Sequence, residues 1–182
     1  MVKSMALLLH RQGYAATGLN QVLEDGAAPR GSLYFHFRGG KRELATAAIA
    51  YGAGLTASKI ERTLREAHDP VGALDDLAAF FGRRLAESDW ELGCALATVA
   101  LEVAGTDAVL ADACSAGFAS WIDPIAARLA AAGVAEPEAS ELATFVLSAW
   151  EGALVLARAE RSLEPVERTR RHVAAYLRAR VG

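Results

Sequence analysis

The sequence has little proline, little cysteine and little net charge. Only five prolines occur in 182 residues, and apart from Pro124 they fall at the boundaries of stretches with helical periodicity. Cys94 and Cys114 do not form a CxxC or any other metal-ligand spacing, so we expect buried free thiols and no metal site. A net charge of −3 argues against a chain that binds nucleic acid over its whole surface.

Motifs for catalysis, secretion and membrane insertion are also missing. No Ser-His-Asp, HExxH or paired-carboxylate pattern occurs, so we expect neither an enzyme nor a cofactor. Nothing resembles a signal peptide, and no apolar run approaches the ~20 residues of a membrane span. We therefore expect a cytoplasmic protein.

The residues that are present mostly favour helices. Hydrophobic residues make up 53% of the chain, and many are Ala and Leu, which are strong helix formers. The fold class expected is all-α with about nine helices. The predicted helices are 2–12, 18–25, 29–37, 41–66, 70–87, 92–104, 106–132 (which Pro124 should kink or split), 137–161 and 165–180.

Residues 17–41 are the most informative segment. Thr17 is a suitable N-cap for a short helix, and Gly26 can end that helix in the left-handed conformation. Pro29 then fits the first turn of a second short helix. Two short helices joined by a Gly-containing turn are typical of a helix-turn-helix whose second helix enters a DNA major groove.

The distribution of charge supports the same interpretation. Residues 1–50 carry a net charge of +3, and the remaining 132 residues carry −6. A cationic head on an anionic body suits a protein that docks on phosphate through one end. An asymmetry this small also arises by chance.

Helical periodicity separates scaffold residues from candidate contacts in the second short helix. At about 100° per residue, Leu33 and Phe37 fall on one side, where they can pack on apolar residues of the first helix, while Gly31 and Phe35 point the other way. Arg30 can reach a guanine edge or a phosphate, and Ser32 a base edge or a phosphate. Each residue also has a plain structural interpretation; their joint occurrence in order favours DNA binding.

The segment GYAATGLNQVLEDGAAPRGSLYFHFRGGKRELATAA resembles the DNA-binding domain of the TetR family of transcriptional regulators, most closely its LmrA/YxaF-like group. The resemblance implies an Ω-shaped homodimer of nine or ten helices per chain. Helices 1–3 would contact DNA, and the last two helices would pair with the partner. It implies a helix-turn-helix domain over residues 1–45 and a ligand-binding and dimerisation domain over residues 46–182.

Site residues follow from the resemblance position by position. Arg30, Gly31 and Ser32 resemble the base-reading start of the recognition helix. The expected phosphate contacts are Thr17, Tyr34, His36 and Lys41, with Gln21 as a weaker candidate. Family members usually carry a basic stretch ahead of the first helix. Here only residues 1–4 precede the apolar pattern, with Lys3 as their sole charge, so we predict no minor-groove contacts.

The body is rich in large apolar residues, and most of them are expected to form its core. Ligand pockets are mostly apolar, however, so some of these residues are candidates for a pocket that binds a planar apolar or aromatic effector. The predicted pocket wall comprises Phe80, Trp90, Leu96, Phe118, Trp121 and Trp150.

The last two helices carry apolar positions at spacings of three and four. A four-helix bundle across a two-fold axis is predicted from them, with packing inside the chain as the alternative. The positions are Ser140, Ala143, Leu147, Trp150, Glu151, Leu154 and Arg158 in the eighth helix and Val166, Val173, Tyr176 and Leu177 in the ninth.

The function predicted is a ligand-responsive transcriptional regulator. As a homodimer it would bind a double-stranded palindromic operator and, as a repressor, leave it when a small apolar or aromatic effector binds. The alternative is a small-molecule binding protein of the same fold without specific DNA recognition.

Overall fold

The computed structural model describes residues 1–181, which form nine helices and no strand. The helices are α1 (Val2–Gln12), α2 (Leu19–Asp25), α3 (Arg30–His36), α4 (Gly40–Glu66), α5 (Pro70–Glu87), α6 (Ala95–Val103), α7 (Ala108–Ala130), α8 (Glu136–Glu160) and α9 (Glu164–Arg178). The predicted all-α fold class is confirmed.

Helix α7 continues through Pro124 as one element, so of the two effects predicted for this proline the split is wrong. Helix α6 begins three residues later than predicted, because Cys94 forms its N-cap and its Sγ accepts from the Ala97 N–H at 3.5 Å. Cys94 is half-buried, so of the two cysteines expected to be buried only Cys114 is. Burial raises the pKa of the Cys114 thiol to about 11.

The described chain divides into two compact packing units. Unit 1 comprises residues 1–55 and 94–118, and unit 2 comprises residues 56–93 and 119–181. Helices α4 and α7 contribute residues to both units. Packing thus groups α6 with the N-terminal helices, while the functional division at residue 45 remains a prediction.

In unit 2, α5, α8 and α9 pack against one another. Helix α5 starts sharply, because Pro70 occupies its first turn and the Asp69 carboxylate accepts from the Val71 N–H at 2.9 Å. Arg170 of α9 binds both carboxylate oxygens of Asp75 of α5, at 2.8 and 2.6 Å. The hydrogen bond from Arg170 is the main cause that lowers the pKa of the Asp75 carboxyl.

Most of the stripe predicted for dimerisation lies inside this unit instead. Ala143, Leu147 and Trp150 of α8 are buried within the single chain, as are Val166, Val173 and Leu177 of α9. Their assignment to a partner interface is wrong because the single chain already covers these side chains, in a unit where α5, α8 and α9 pack together. The alternative of packing inside the chain holds for these residues.

Helix α8 is, among residues 1–181, the one helix long and apolar enough to cross a membrane by length and composition, with a mean hydropathy of 1.4. Core helices of soluble proteins meet the same criterion, and α8 contributes eight residues to the buried interior. Length and composition alone therefore do not identify α8 as a span.

In unit 1, α1 packs against α6, and a carboxylate fixes the loop that follows α1. Glu102 of α6 accepts from the backbone N–H groups of Tyr14 and Ala15, at 2.7 and 3.0 Å. Gly13 makes this approach possible: a Cβ atom there would overlap the Glu102 carboxylate. Its backbone, at φ 76° and ψ −173°, also lies in a region that is essentially restricted to glycine.

We predict that Gly13→Ala lowers the free energy of unfolding by about 1–3 kcal/mol, because alanine must adopt the strained backbone and displace the carboxylate. Urea unfolding followed by circular dichroism measures the change. The matched control is Gly54→Ala, in an exposed helical position where a Cβ meets nothing within 4 Å. It should raise stability by about 0.5–1 kcal/mol. A Gly13→Ala protein as stable as wild type would contradict this account of the loop.

Candidate nucleic-acid interface

Helices α2 and α3 are joined by a four-residue turn, residues 26–29, as the helix-turn-helix prediction requires. The predicted role of Gly26 is wrong, since its φ is −88° and Ala27 takes the positive φ of 47°. A Cβ at position 26 would lie 3.0 Å from both the Met1 nitrogen and the Val22 carbonyl oxygen, so these atoms would have to shift by a few tenths of an ångström. Close packing of the backbone, rather than a left-handed conformation, favours glycine at this position.

Thr17 also differs from its prediction. Gly18 is the N-cap of α2, and no side chain caps that helix. The Thr17 hydroxyl instead donates to the Gly13 carbonyl at 2.6 Å, and the residue is 1% exposed. A buried hydroxyl already used inside the chain is not available to a phosphate, so Thr17 belongs to the scaffold of the head.

Helix α3 is anchored by one buried residue. Leu33 is 1% exposed and is the only buried residue of α3; Phe37, one turn later, is half-buried. Val22 and Leu23 of α2 are buried in the same unit. This arrangement matches the predicted inner face.

The other face of α3 is exposed. Arg30, Gly31, Tyr34 and His36 all lie at the surface, with Tyr34 61% exposed, and no atom lies within 4 Å of the space that a Cβ on Gly31 would fill. The structure thus exposes four of the predicted contact residues. Arg30, Gly31 and Tyr34 share one side of the helix, whereas His36 lies on the opposite flank, about 160° from Tyr34 at 100° per residue. A ligand backbone or base edge could approach the helix closely at Gly31.

Ser32 is half-buried beside this surface, and its hydroxyl donates to the Pro29 carbonyl at 2.7 Å. The bond uses the hydroxyl proton but leaves the oxygen able to accept. The geometry therefore suits Ser32 to accept from a base amino group rather than to donate to a phosphate.

Gln21 is exposed on α2 and paired with α1. The Gln12 Nε2 donates to the Gln21 Oε1 at 2.9 Å. This contact orients the Gln21 side chain and leaves its amide nitrogen 3.5 Å from Gln12 Oε1, a weak interaction that a phosphate oxygen could replace.

Lys41, in the first turn of α4, is folded back onto the loop after α1. Its Nζ lies 4.3 Å from the centroid of the Tyr14 ring and 3.5 Å from the Ala15 carbonyl oxygen. Burial lowers the pKa of Lys41, and the nearby Glu102 charge opposes that shift. An ammonium has three N–H donors, so these two contacts leave capacity for a phosphate.

The N-terminus of α4, which carries Lys41, is partly occupied by the chain itself. The Glu43 carboxylate accepts from the Gly39 N–H at 2.7 Å, which places a negative charge in the first turn. This stabilises the helix but competes with a phosphate for the same donors. The cations around it, Arg38 and Arg42, are exposed.

The residues predicted to wall an effector pocket occur in both units. Leu96 and Phe118 lie in unit 1, and the other four lie in unit 2. Trp90 packs on the core cluster around Leu85, and the Phe80 ring lies 4.7 Å from the Lys59 ammonium. Trp150 lines a cavity of about 10 Å³, enough for one water molecule, so the effector pocket remains a prediction.

Sequence reasoning missed one contact of this region and left Phe35 out of the candidate DNA contacts. The helical period predicted that Phe35 points away from Leu33, and the structure shows it 79% exposed near the C-terminal end of α3. The contact between Glu102 and the Tyr14 N–H joins residues 88 positions apart, so no local sequence pattern indicates it.

Comparisons with known proteins show which family the chain resembles. Residues 70–172 match the family of transcriptional regulators described as LmrA/YxaF-like, C-terminal domain. The HTH-type regulator Rv0196 of Mycobacterium tuberculosis is 36% identical over 98% of this chain and 93% of its own. The HTH-type regulator YxaF of Bacillus subtilis is 33% identical over 87% and 83%.

A solved structure supports the comparison over nearly the whole chain. The TetR-family regulator CifR, crystallised as a cysteine mutant with 26 bp operator DNA, superposes with a TM-score of 0.77 at 25% identity, covering 93% of each chain. Together with the exposed helix-turn-helix, these similarities show that the chain belongs to the TetR family, in its LmrA/YxaF-like group, and is a DNA-binding transcriptional regulator rather than an enzyme.

Proposed function

We propose that the protein is a ligand-responsive repressor that acts in the cytoplasm as a homodimer. Two copies of α3 enter successive major grooves of a palindromic operator, and a small apolar or aromatic effector releases the dimer. Helix-turn-helix dimers bind half-sites about one helical turn apart, which fits a chain with one such head.

The exposed face of α3 is the observation that carries this proposal. Arg30 stands at the start of the helix, where the recognition helix of such motifs contacts base edges, and bare Gly31 follows it. A guanidinium can bind the O6 and N7 atoms of guanine with two hydrogen bonds, which no other base offers in that geometry. Arg30 is therefore proposed to select sequence.

Phosphate contacts are proposed for the residues that border this face. The phenol of Tyr34 and the imidazole of His36 are exposed, and Lys41 and Gln21 retain donors after their contacts inside the chain. Phosphate contacts set affinity and register but do not distinguish sequences. Thr17 is left out of this set because it is buried.

The dimer contact is proposed for the face of α8 that the chain leaves exposed. Val155 and Leu156 are more than half exposed, and Phe145 is exposed beside the exposed Tyr176 of α9, with their ring centroids 5.3 Å apart. A Cβ on Gly152 would meet nothing within 4 Å, so this face allows a close approach of a second helix. A second copy of the chain is the proposed occupant, because two heads are needed for two half-sites.

Release by an effector follows from differential binding. The dimer is proposed to have a second state, in which its two heads do not fit successive grooves. A ligand that binds this state better lowers the population of dimers that can bind the operator. The aromatic residues of the body are the proposed source of affinity for a planar apolar compound.

Fluorescence anisotropy with a library of palindromic duplexes tests the function. We expect one preferred site, with an affinity that falls steeply as salt rises because several phosphates are neutralised. The absence of a preferred sequence at every salt concentration would contradict the repressor. If a protein without a preferred DNA sequence still bound apolar compounds, the alternative of a small-molecule binding protein of the same fold would be favoured.

Two substitutions separate base contacts from phosphate contacts. Arg30→Ala should reduce discrimination against the wrong base at one position of each half-site by about 1–3 kcal/mol. Tyr34→Phe, which removes only the hydroxyl, should weaken binding to preferred and random duplexes by similar factors. Competition titrations with single-base operator variants measure both effects. The assigned roles would be contradicted if Tyr34→Phe lowered the affinity for some sequences and not others. They would also be contradicted if Arg30→Ala lowered the affinity for all duplexes alike.

The proposed dimer face is tested by charge insertion. Val155→Glu should convert the dimer to monomer in sedimentation velocity at micromolar concentration, since a buried unpaired carboxylate is costly. Leu101→Glu is the matched control, because it makes a similar change at an exposed apolar residue of α6. A wild-type protein that sediments as a monomer would show the proposal to be wrong. So would a Val155→Glu protein that remains dimeric.

A further inference from the structure

Phe35 is the most exposed phenylalanine in the protein. Of the six, Phe145 is 45% exposed and the other four are half-buried, whereas Phe35 is 79% exposed. A single exposed apolar residue needs no explanation on an ordinary surface. This one, however, is the sixth of the seven residues of α3, the helix proposed to contact DNA.

The helical period places Phe35 directly away from the core. Leu33 and Phe37 stand two positions before and after it, which is about 160° around the axis in either direction at 100° per residue. Since Leu33 is buried and Phe37 half-buried, the Phe35 ring points outward from the middle of the exposed face. A side chain that points directly away from the core reaches furthest into a groove occupied by α3.

The surroundings of the ring leave it accessible and restrict its motion. Gly31 lies one turn earlier on the same face and has no side chain to shield the ring. The His36 imidazole meets the Phe35 ring edge to face, with centroids 5.0 Å apart. An aromatic ring held by a neighbour loses less conformational freedom on binding than a flexible side chain.

The chemistry of the groove then identifies what the ring would meet. A recognition helix enters the major groove, where the apolar feature of a base pair is the C5-methyl group of thymine. Aromatic wedges that separate base steps act from the minor groove and do not fit this placement. We propose that Phe35 is a specificity-determining residue that contacts a thymine methyl group in each half-site. This inference rests on the proposed function.

Replacement of thymine by deoxyuridine isolates this contact. Deoxyuridine keeps every hydrogen-bonding group and removes only the methyl. In the preferred operator, each thymine is replaced in turn, symmetrically in both half-sites, and affinity is measured by anisotropy at one fixed salt concentration. For wild type we expect at least one position where the change weakens binding by about fourfold per half-site, the effect of exposing one buried methyl group.

The variant Phe35→Ala should bind the thymine operator more weakly and lose the dependence on that methyl, so that thymine and deoxyuridine operators bind alike. The control Leu101→Ala, another exposed apolar residue, should keep the wild-type dependence. Because Phe35 is exposed, the variant should retain the wild-type melting temperature; Phe35→Leu should keep part of the methyl dependence.

The outcomes separate this inference from the function on which it rests. A wild-type protein with a preferred site but no thymine whose methyl matters would overturn the role of Phe35 and leave the repressor intact. A Phe35→Ala protein with an unchanged thymine-to-deoxyuridine ratio would do the same. A protein without any preferred sequence would overturn both.

Discussion

The burial of Leu33 is the constraint on which the proposed DNA-binding surface depends. Helix α3 has seven residues, too few to be stable in isolation, so packing must fix both its existence and its rotation about its axis. Leu33 is its only buried residue. Once that side chain is inside, the period of the helix determines that Gly31 and Phe35 face outward and that Arg30 and Tyr34 lie along the flank.

Most of the fold was predictable because its signals are local. Proline and the residues before it mark where α5 and α9 begin, and apolar residues at helical spacing run through the segments between breaks. The outward direction of Phe35 follows from the same periodicity. Its exposure, and the identity of the residues that anchor α3, are therefore largely encoded within residues 17–41.

The remaining features depend on contacts that the sequence does not display. A threonine before a helix is as able to bond to its own chain as to cap, and only the fold shows that Thr17 bonds to Gly13. Helix α8 has two apolar faces, and its spacing pattern cannot say which one the chain covers. The structure buries Trp150 and exposes Val155, so the face available to a second copy is not the one predicted.

The proposed function requires that the outward face of α3 lies against the bases of an operator. Photocrosslinking tests it most directly, with p-azidophenylalanine in place of Phe35 in one sample and in place of Phe81, in unit 2, in another. If α3 occupies the groove, irradiation of the bound complex will attach position 35 to bases inside each half-site and leave position 81 unattached. Full operator binding with no crosslink from position 35, or equal crosslinking from both positions, would contradict it.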